Sequence, residues 1–370
     1  MRYFLFLLFF ASFFACEEPT PDATTSTYSK LTGACEPEAL LDGWAFTAVP
    51  IAADWLPAAF AFADDQYGVL VGDRGQIWRT ENGGADWQAT SADRLPADWR
   101  SASFQIVDLP VREAIFVVSR GRDRFLRSLD RGSSFEPVSV VPEVVGIGGA
   151  AFLSPTNYVL SVSWSTPTGN ERRLLETSNG GSSWETLALP PGVTHTTGDF
   201  QTRNGATYLL GRDTSSYEVL LRYVPTAGLQ VVEPFWDGWT KHGIEQVQVL
   251  DPSTVVAYLE WNSVSIVVEP IDHLFLSSDR GNDWRELFAL DPGRFVRLLF
   301  VSPQEGLVLT VDRRSGEEAY KIAHTDDGGG RWTLRAHPLS CELEAAVYTS
   351  PSATRFLAAR RGEVGLYTKE

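Results

Sequence analysis

Five stretches of the chain place a carboxylate or carboxamide at one fixed distance from a hydroxyl, a glycine and an aromatic ring. They are TENGGADW (Thr80, Asn82, Gly84, Trp87), SLDRGSSF (Ser128, Asp130, Gly132, Phe135), TSNGGSSW (Thr177, Asn179, Gly181, Trp184), SSDRGNDW (Ser277, Asp279, Gly281, Trp284) and TDDGGGRW (Thr325, Asp327, Gly329, Trp332). Such an oxygen pair can hold a cation, move a proton or accept backbone N–H groups in a tight loop. Asparagine at 82 and 179 argues against proton transfer. Asp326-Asp327-Gly328 resembles the start of a calcium loop but lacks its further spaced oxygen ligands. Local hydrogen bonding remains, with glycine supplying a positive φ and the ring covering the loop. The five histidines, at 195, 242, 273, 324 and 337, have no ligand spacing, and no two cysteines form a CxxC pair. No nucleophile elbow, zincin, Walker or dinucleotide signature is present, so no metal or cofactor is expected. Glu260, Asp213, Asp312 and Glu363 stay open as carboxyls, because a glycoside hydrolase needs only two facing acids.

The positioning elements follow from the spacing. The five motifs begin at 80, 128, 177, 277 and 325, a period near 48 residues with one interval doubled, and a degenerate copy falls near Tyr223 to Gln230. Runs such as Gly75 to Trp78 and Leu274 to Leu276 precede the motifs and Glu185-Thr186-Leu187 follows one, so each motif joins two strands. A second series of Pro- or Gly-marked breaks, from Ala63–Gly68 through Ser154–Asn157 to Ser350–Ser352, recurs seven times. Four strands per unit, repeated seven times, predicts an all-β fold: a single seven-bladed β-propeller of four-stranded antiparallel blades over residues 35–370.

The five motifs resemble the Asp-box, or bacterial neuraminidase repeat, and residues 60–87 are similar to the repeat of the photosystem II assembly and stability factor family. Related repeats occur in sialidases and sortilin. The resemblance implies that the boxes are structural, lying at the turn between third and fourth strands, away from the ligand face. The sialidase Arg-Ile-Pro signature is missing. The opposite face would carry the loops between second and third strands, at 72–75, 119–124, 163–173, 211–217, 260–272, 312–319 and 359–364. These contain Arg74, Arg120, Arg122, Arg124, Arg172, Arg173, Arg212, Arg313, Arg314, Arg360 and Arg361, with an equal number of acids. The arginines are either solvated in local ion pairs such as Asp73–Arg74 or form a ring of bidentate donors for carboxylates. Trp55, Trp99, Trp164, Trp236, Trp239 and Trp261 lie outside the boxes, in connections expected on or near this face, as contact surface or as packing between blades.

The last unit, from Cys341, has room for three strands, around Ala345–Thr349, Arg355–Ala359 and Gly365–Lys369. The run from Gly43 to Val49 resembles a fourth strand, so it is expected to complete the last blade and remove an open sheet edge. Cys35 and Cys341 precede strands of that blade and are expected to form a disulfide across the closure.

Residues 1–15 read as an export signal, with Arg2 and an apolar run from Phe4 to Phe14 that falls short of the roughly 20 residues a spanning helix needs. Ala15-Cys16 resembles a bacterial lipobox, which implies lipidation of Cys16; the alternative is an ordinary secretory signal. Cys16-Glu17-Glu18 resembles the acidic signal that sends some lipoproteins to the outer face of the outer membrane. Residues 16–34, rich in Glu, Pro, Thr and Ser, read as a flexible tether. The 370-residue chain is 44% hydrophobic, enough for a large core, and its net charge of −16 disfavours nucleic acid as a partner. The expectation is a monomeric, non-catalytic lipoprotein whose propeller face binds a protein or anionic polymer. The alternative is a glycan-binding or sialidase-like glycoside hydrolase propeller.

Overall fold

The structure, a computed structural model, describes residues 44–48, 57–72, 76–89, 99, 104–119, 121–203, 205–215, 217–225, 227–232, 242–261, 272–290, 294–312, 319–336, 345–349, 355–360 and 363–369. Every regular element among them is a strand, and none of their segments is a helix long and apolar enough to cross a membrane.

Four strands in succession pair antiparallel to make each blade. Blade one is β2 (Pro57–Phe62), β3 (Gly68–Gly72), β4 (Ile77–Thr80) and β5 (Gln88–Ala89). Blade two is β6 (Phe104–Val111), β7 (Ala114–Ser119), β8 (Arg124–Ser128) and β9 (Glu136–Ser139). Blade three is β10 (Val144–Phe152), β11 (Tyr158–Thr166), β12 (Gly169–Thr177) and β13 (Glu185–Leu187). Blade four is β14 (Val193–Arg203), β15 (Ala206–Asp213), β16 (Glu218–Val224) and β17 (Gly228–Val231). Blade five is β18 (His242–Val249), β19 (Val255–Trp261), β20 (Asp272–Ser277) and β21 (Arg285–Leu290). Blade six is β22 (Arg294–Phe300), β23 (Gly306–Asp312), β24 (Ala319–Thr325) and β25 (Thr333–Ala336). A further four-stranded sheet joins distant parts of the chain: β1 (Trp44–Ala48) pairs with β28 (Glu363–Lys369), which pairs with β27 (Arg355–Arg360) and then β26 (Ala345–Thr349). Trp44 stands opposite Lys369 and Ala48 opposite Gly365 in that antiparallel register.

Second strands such as GVLVG of β3 and AIFVVS of β7 are buried on both faces, so they read as continuous apolar runs. The core lies between blades. Tyr67, Val69 and Ile77 of blade one meet Ile115, Val117 and Leu126 of blade two. Phe116 and Phe125 of blade two meet Phe152 and Tyr158 of blade three, with the Phe116 and Phe152 rings stacked at 4.1 Å. The same scheme joins blades three and four through Leu174 and Leu209, four and five through Leu220 and Ile244, and five and six through Leu274 and Val308. First strands show register shifts against their partners, for example between Ile147 and Gly149, as bulges that sharpen the local twist.

The five motifs form one turn. In each, the first hydroxyl donates to the Asp or Asn side chain two residues on, at 2.7–3.0 Å. It accepts the N–H of the glycine four residues on, at 2.8–3.1 Å. The Asp or Asn oxygen accepts the N–H six residues after the hydroxyl, at 2.9 Å in every copy. Two consecutive residues have positive φ. The second is always glycine; the first is Gly83, Gly180 or Gly328, but Arg131 (φ 60°) and Arg280 (φ 69°) in the others. The N–H of that first residue donates to the turn between the blade's first two strands, as from Gly180 to the Thr156 carbonyl at 2.9 Å. Both turns of a blade are thereby stitched at one end. The degenerate copy is a plain hairpin, with Ala227 N–H donating to the Val224 carbonyl at 3.0 Å and φ of 73° at Gly228.

Candidate functional site

Antiparallel order puts the repeated turns at one end of the blades and the hairpins between second and third strands at the other. The motif side chains work locally. Asp130 is held below its ordinary pKa chiefly by the Ser134 hydroxyl and N–H, Asp279 by the Asp283 N–H, and Asp327 by the Arg331 N–H. Each carboxylate is thus committed to its own loop. The motif tryptophans pack close by: Trp87 lies edge-on against Phe62 of its own blade at 6.2 Å, while Trp332 Nε1 of blade six crosses the seam to donate to the Leu287 carbonyl of blade five at 3.2 Å.

At the hairpin end, blades two to four present the described part of the arginine-bearing face. Residues 163–173, expected as a loop, instead continue β11 and β12 to a two-residue turn, Pro167-Thr168. Arg172 and Arg173 are therefore strand residues facing opposite sides. Arg173 stands 4.6 Å over the Trp164 ring and pairs with Glu171 at 3.0 Å. Arg172 is exposed, and its Nη1 donates to the Thr196 carbonyl of blade four at 3.2 Å. Among the described residues Arg172 has no carboxylate partner. Arg212, on β15, pairs with Glu218 at 3.2 Å, and Arg124 with Asp123 at 3.6 Å. Arg122 sits beside Gly121, where the Gly121 N–H and the Arg122 carbonyl both bond Ile147 of blade three. His195 Nδ1 lies 3.0 Å from the Thr194 hydroxyl. Local ion pairs thus hold Arg124, Arg173 and Arg212, whereas the guanidinium of Arg172 is bonded to a backbone carbonyl.

Two residues that the sequence leaves open are placed by the structure. Trp99 is fully buried and packs between blades one and two with Tyr67, Ile115 and Val117, so it offers no contact surface. Of the two readings open for it, contact surface and packing between blades, the second is the one seen, since the wedge between two sheets takes a large apolar body. Asp213, considered as an acid, accepts the N–H groups of Ser215 and Tyr217 at 2.8 Å and shapes the β15–β16 turn. Trp261 and Arg360 are placed on β19 and β27 by their backbones, as are Glu260, Asp312 and Glu363 on β19, β23 and β28. Cys16, Cys35, Cys341, Trp55, Trp236, Trp239, Arg74, Arg120, Arg313, Arg314 and Arg361 lie outside the described residues.

Sequence reasoning missed the ties between blades. Arg127, immediately before the motif of blade two, donates to the Gly180 carbonyl of blade three at 2.9 Å and pairs with Glu136. Arg285, immediately after the motif of blade five, donates to the equivalent Gly328 carbonyl of blade six at 2.9 Å. Two different sequence positions deliver a guanidinium to one structural acceptor. The signal, an arginine bordering the motif, is visible in sequence, but its target is not.

Four-stranded antiparallel blades packed through interblade cores define a β-propeller. No protein-family model matches the chain, and no curated protein matches it by sequence. Its fold matches the structure of YCF48 bound to D1 peptide, with a TM-score of 0.57 at 16% identity over 89% of this chain and 98% of that one. YCF48 from Cyanidioschyzon merolae gives 0.56 at 16% identity, over 88% and 98% of the two chains. The WD40 β-propeller domain of Doa1 gives 0.51 at 10% identity, over 89% and 98%.

Proposed function

We propose that this chain is an extracytoplasmic lipoprotein, anchored through Cys16, whose propeller binds a protein or an anionic polymer on the face opposite the repeated turns. The observation that carries the binding role is Arg172. Its guanidinium is exposed, oriented by the Thr196 carbonyl and unmatched by any described carboxylate, while Arg212 stands one register position from the Thr196 pairing on blade four. A pre-oriented guanidinium fork suits a carboxylate bidentately and loses little freedom on binding. The likeness in fold to a propeller that has been seen with a bound peptide is compatible with a polypeptide partner. We further propose that the repeated turns are Asp-boxes and that the sheet of β26, β27, β28 and β1 closes one seven-bladed ring, clasped by a Cys35–Cys341 disulfide.

Crosslinking in the native host, with the wild type against an Arg172→Ala/Arg212→Ala variant, tests the binding role. The variant is expected to lose the partners that the wild type recovers, and raised salt is expected to weaken capture. Equal recovery of every partner would overturn the role of this face. Labelling with radioactive palmitate is expected to mark the wild type and spare Cys16→Ala; equal labelling would remove the lipid anchor.

A further inference from the structure

The β11–β12 hairpin ends in a stretch of sheet edge with no fourth strand. β13 pairs with β12 only at Leu174, Leu175 and Glu176, through Leu187, Thr186 and Glu185. Pro190 and Pro191 follow three residues later, and a proline has no N–H to extend the ladder. Gly169 to Arg172 are exposed as a result. The turn is flanked by the pair Thr166↔Gly169, so the two-residue alternation of an antiparallel ladder aims Gly169, Glu171 and Arg173 at β11. Asn170 and Arg172 then direct their N–H and C=O groups outward, and among the described residues neither has a backbone partner on that side. An open edge of this kind is a template for another strand.

The side chains beside that edge say what strand it would accept. Arg172 is the residue whose backbone is open and whose guanidinium lacks a carboxylate. Glu171 and Arg173, on the opposite side, already satisfy each other at 3.0 Å. A strand added here puts one side chain directly opposite Arg172, about 5 Å away between Cβ atoms. We infer that the open edge of β12 at Asn170 and Arg172 captures an extended peptide by strand addition, with an Asp or Glu of that peptide opposite Arg172. This rests on the binding role proposed above and names its ligand as a polypeptide.

The probe is the peptide acetyl-Thr-Val-Thr-Glu-Thr-Val-amide, titrated onto the whole chain, with amide hydrogen exchange as a second readout. Saturable binding is expected, together with slowed exchange at the Asn170 and Arg172 amides. Replacing the peptide's Glu by Gln, or Arg172→Ala in the protein, is expected to weaken binding about tenfold, without adding when combined. Asn170→Pro removes an outward N–H that serves no internal bond, so it should abolish binding while leaving the thermal midpoint near that of wild type. Should that variant misfold, a peptide N-methylated at the Glu and its following residue, titrated onto the wild type, removes the matching donors from the other side. No binding of the probe by wild type, or equal binding by Asn170→Pro and by the N-methylated peptide, would overturn strand addition. Oligogalacturonate binding that depends on Arg172 but not on Asn170 would overturn it in favour of an acidic glycan. Host partners retained by Asn170→Pro but lost by Arg172→Ala/Arg212→Ala would overturn the strand mode and leave the binding face intact. Partners retained by both would remove the face itself.

Discussion

At the scale of single residues, the five turns have the same hydrogen bonds whether they use Ser or Thr, and Asp or Asn. That equivalence predicts a pH effect confined to the three aspartates. Their pKa values are depressed in the folded chain, so the stabilisation is present above the unfolded carboxyl range, about pH 4, and is lost as pH falls through the folded values. The combined Asp130→Asn, Asp279→Asn and Asp327→Asn variant should unfold at a similar temperature at pH 7 and lose less stability than wild type below pH 4, measured by thermal scans across pH. The glycine four residues after the hydroxyl is less forgiving. A Cβ on Gly281 would collide with Val232 Cγ1, and one on Gly329 would lie 2.8 Å from Leu287 Cδ2, both at φ of 88°. Gly281→Ala is expected to cost about 2–3 kcal/mol in chemical denaturation. The hydroxyl, Asp and Gly were legible in sequence because their work is done within eight residues. The reason the glycine tolerates no side chain was not legible, since it is an apolar residue of the preceding blade.

Between elements, the seams combine apolar packing with a few directed polar ties. Gln248 of β18 acts as a short piece of strand: its Nε2 donates to the Phe300 carbonyl at 2.8 Å and its Oε1 accepts the Phe300 N–H at 2.7 Å. Gln246 repeats half of this, accepting the Leu298 N–H at 3.2 Å. Gln248→Leu leaves two backbone groups of β22 unmatched and should destabilise the chain by about 1–3 kcal/mol, read as a lower denaturation midpoint. Strand placement followed from apolar runs and turn residues wherever a strand packs against another blade. It failed over 163–173, where Ser163, Ser165, Asn170, Glu171 and Arg172 carry no apolar alternation. Those residues are held as strands by pairing with one another across β11 and β12, which periodicity does not encode.

On the scale of the whole molecule, first strands pack neighbour to neighbour from β26 through β2, β6, β10, β14 and β18 to β22. The proposed ring closure and its clasp make a direct prediction. Alkylation of the unreduced chain should leave Cys35 and Cys341 unlabelled, and reduction should lower the unfolding temperature, with a loss of at most about 6 kcal/mol of chain-entropy stabilisation. Labelling of both cysteines without reduction would remove the clasp. The plain hairpin between β16 and β17 has a consequence of its own. Blade four lacks the lock of a hydroxyl with an Asp or Asn side chain found in blades one, two, three, five and six; along β16 and β17 its described side-chain tie to blade three is the Tyr223 hydroxyl donating to Glu176 at 2.8 Å, while the tie from Arg172 reaches β14. Breathing should therefore begin there. Amide exchange is expected to be fastest along β16 and β17 and to slow in both directions around the blades, which would make this hairpin the place where the propeller first opens under stress.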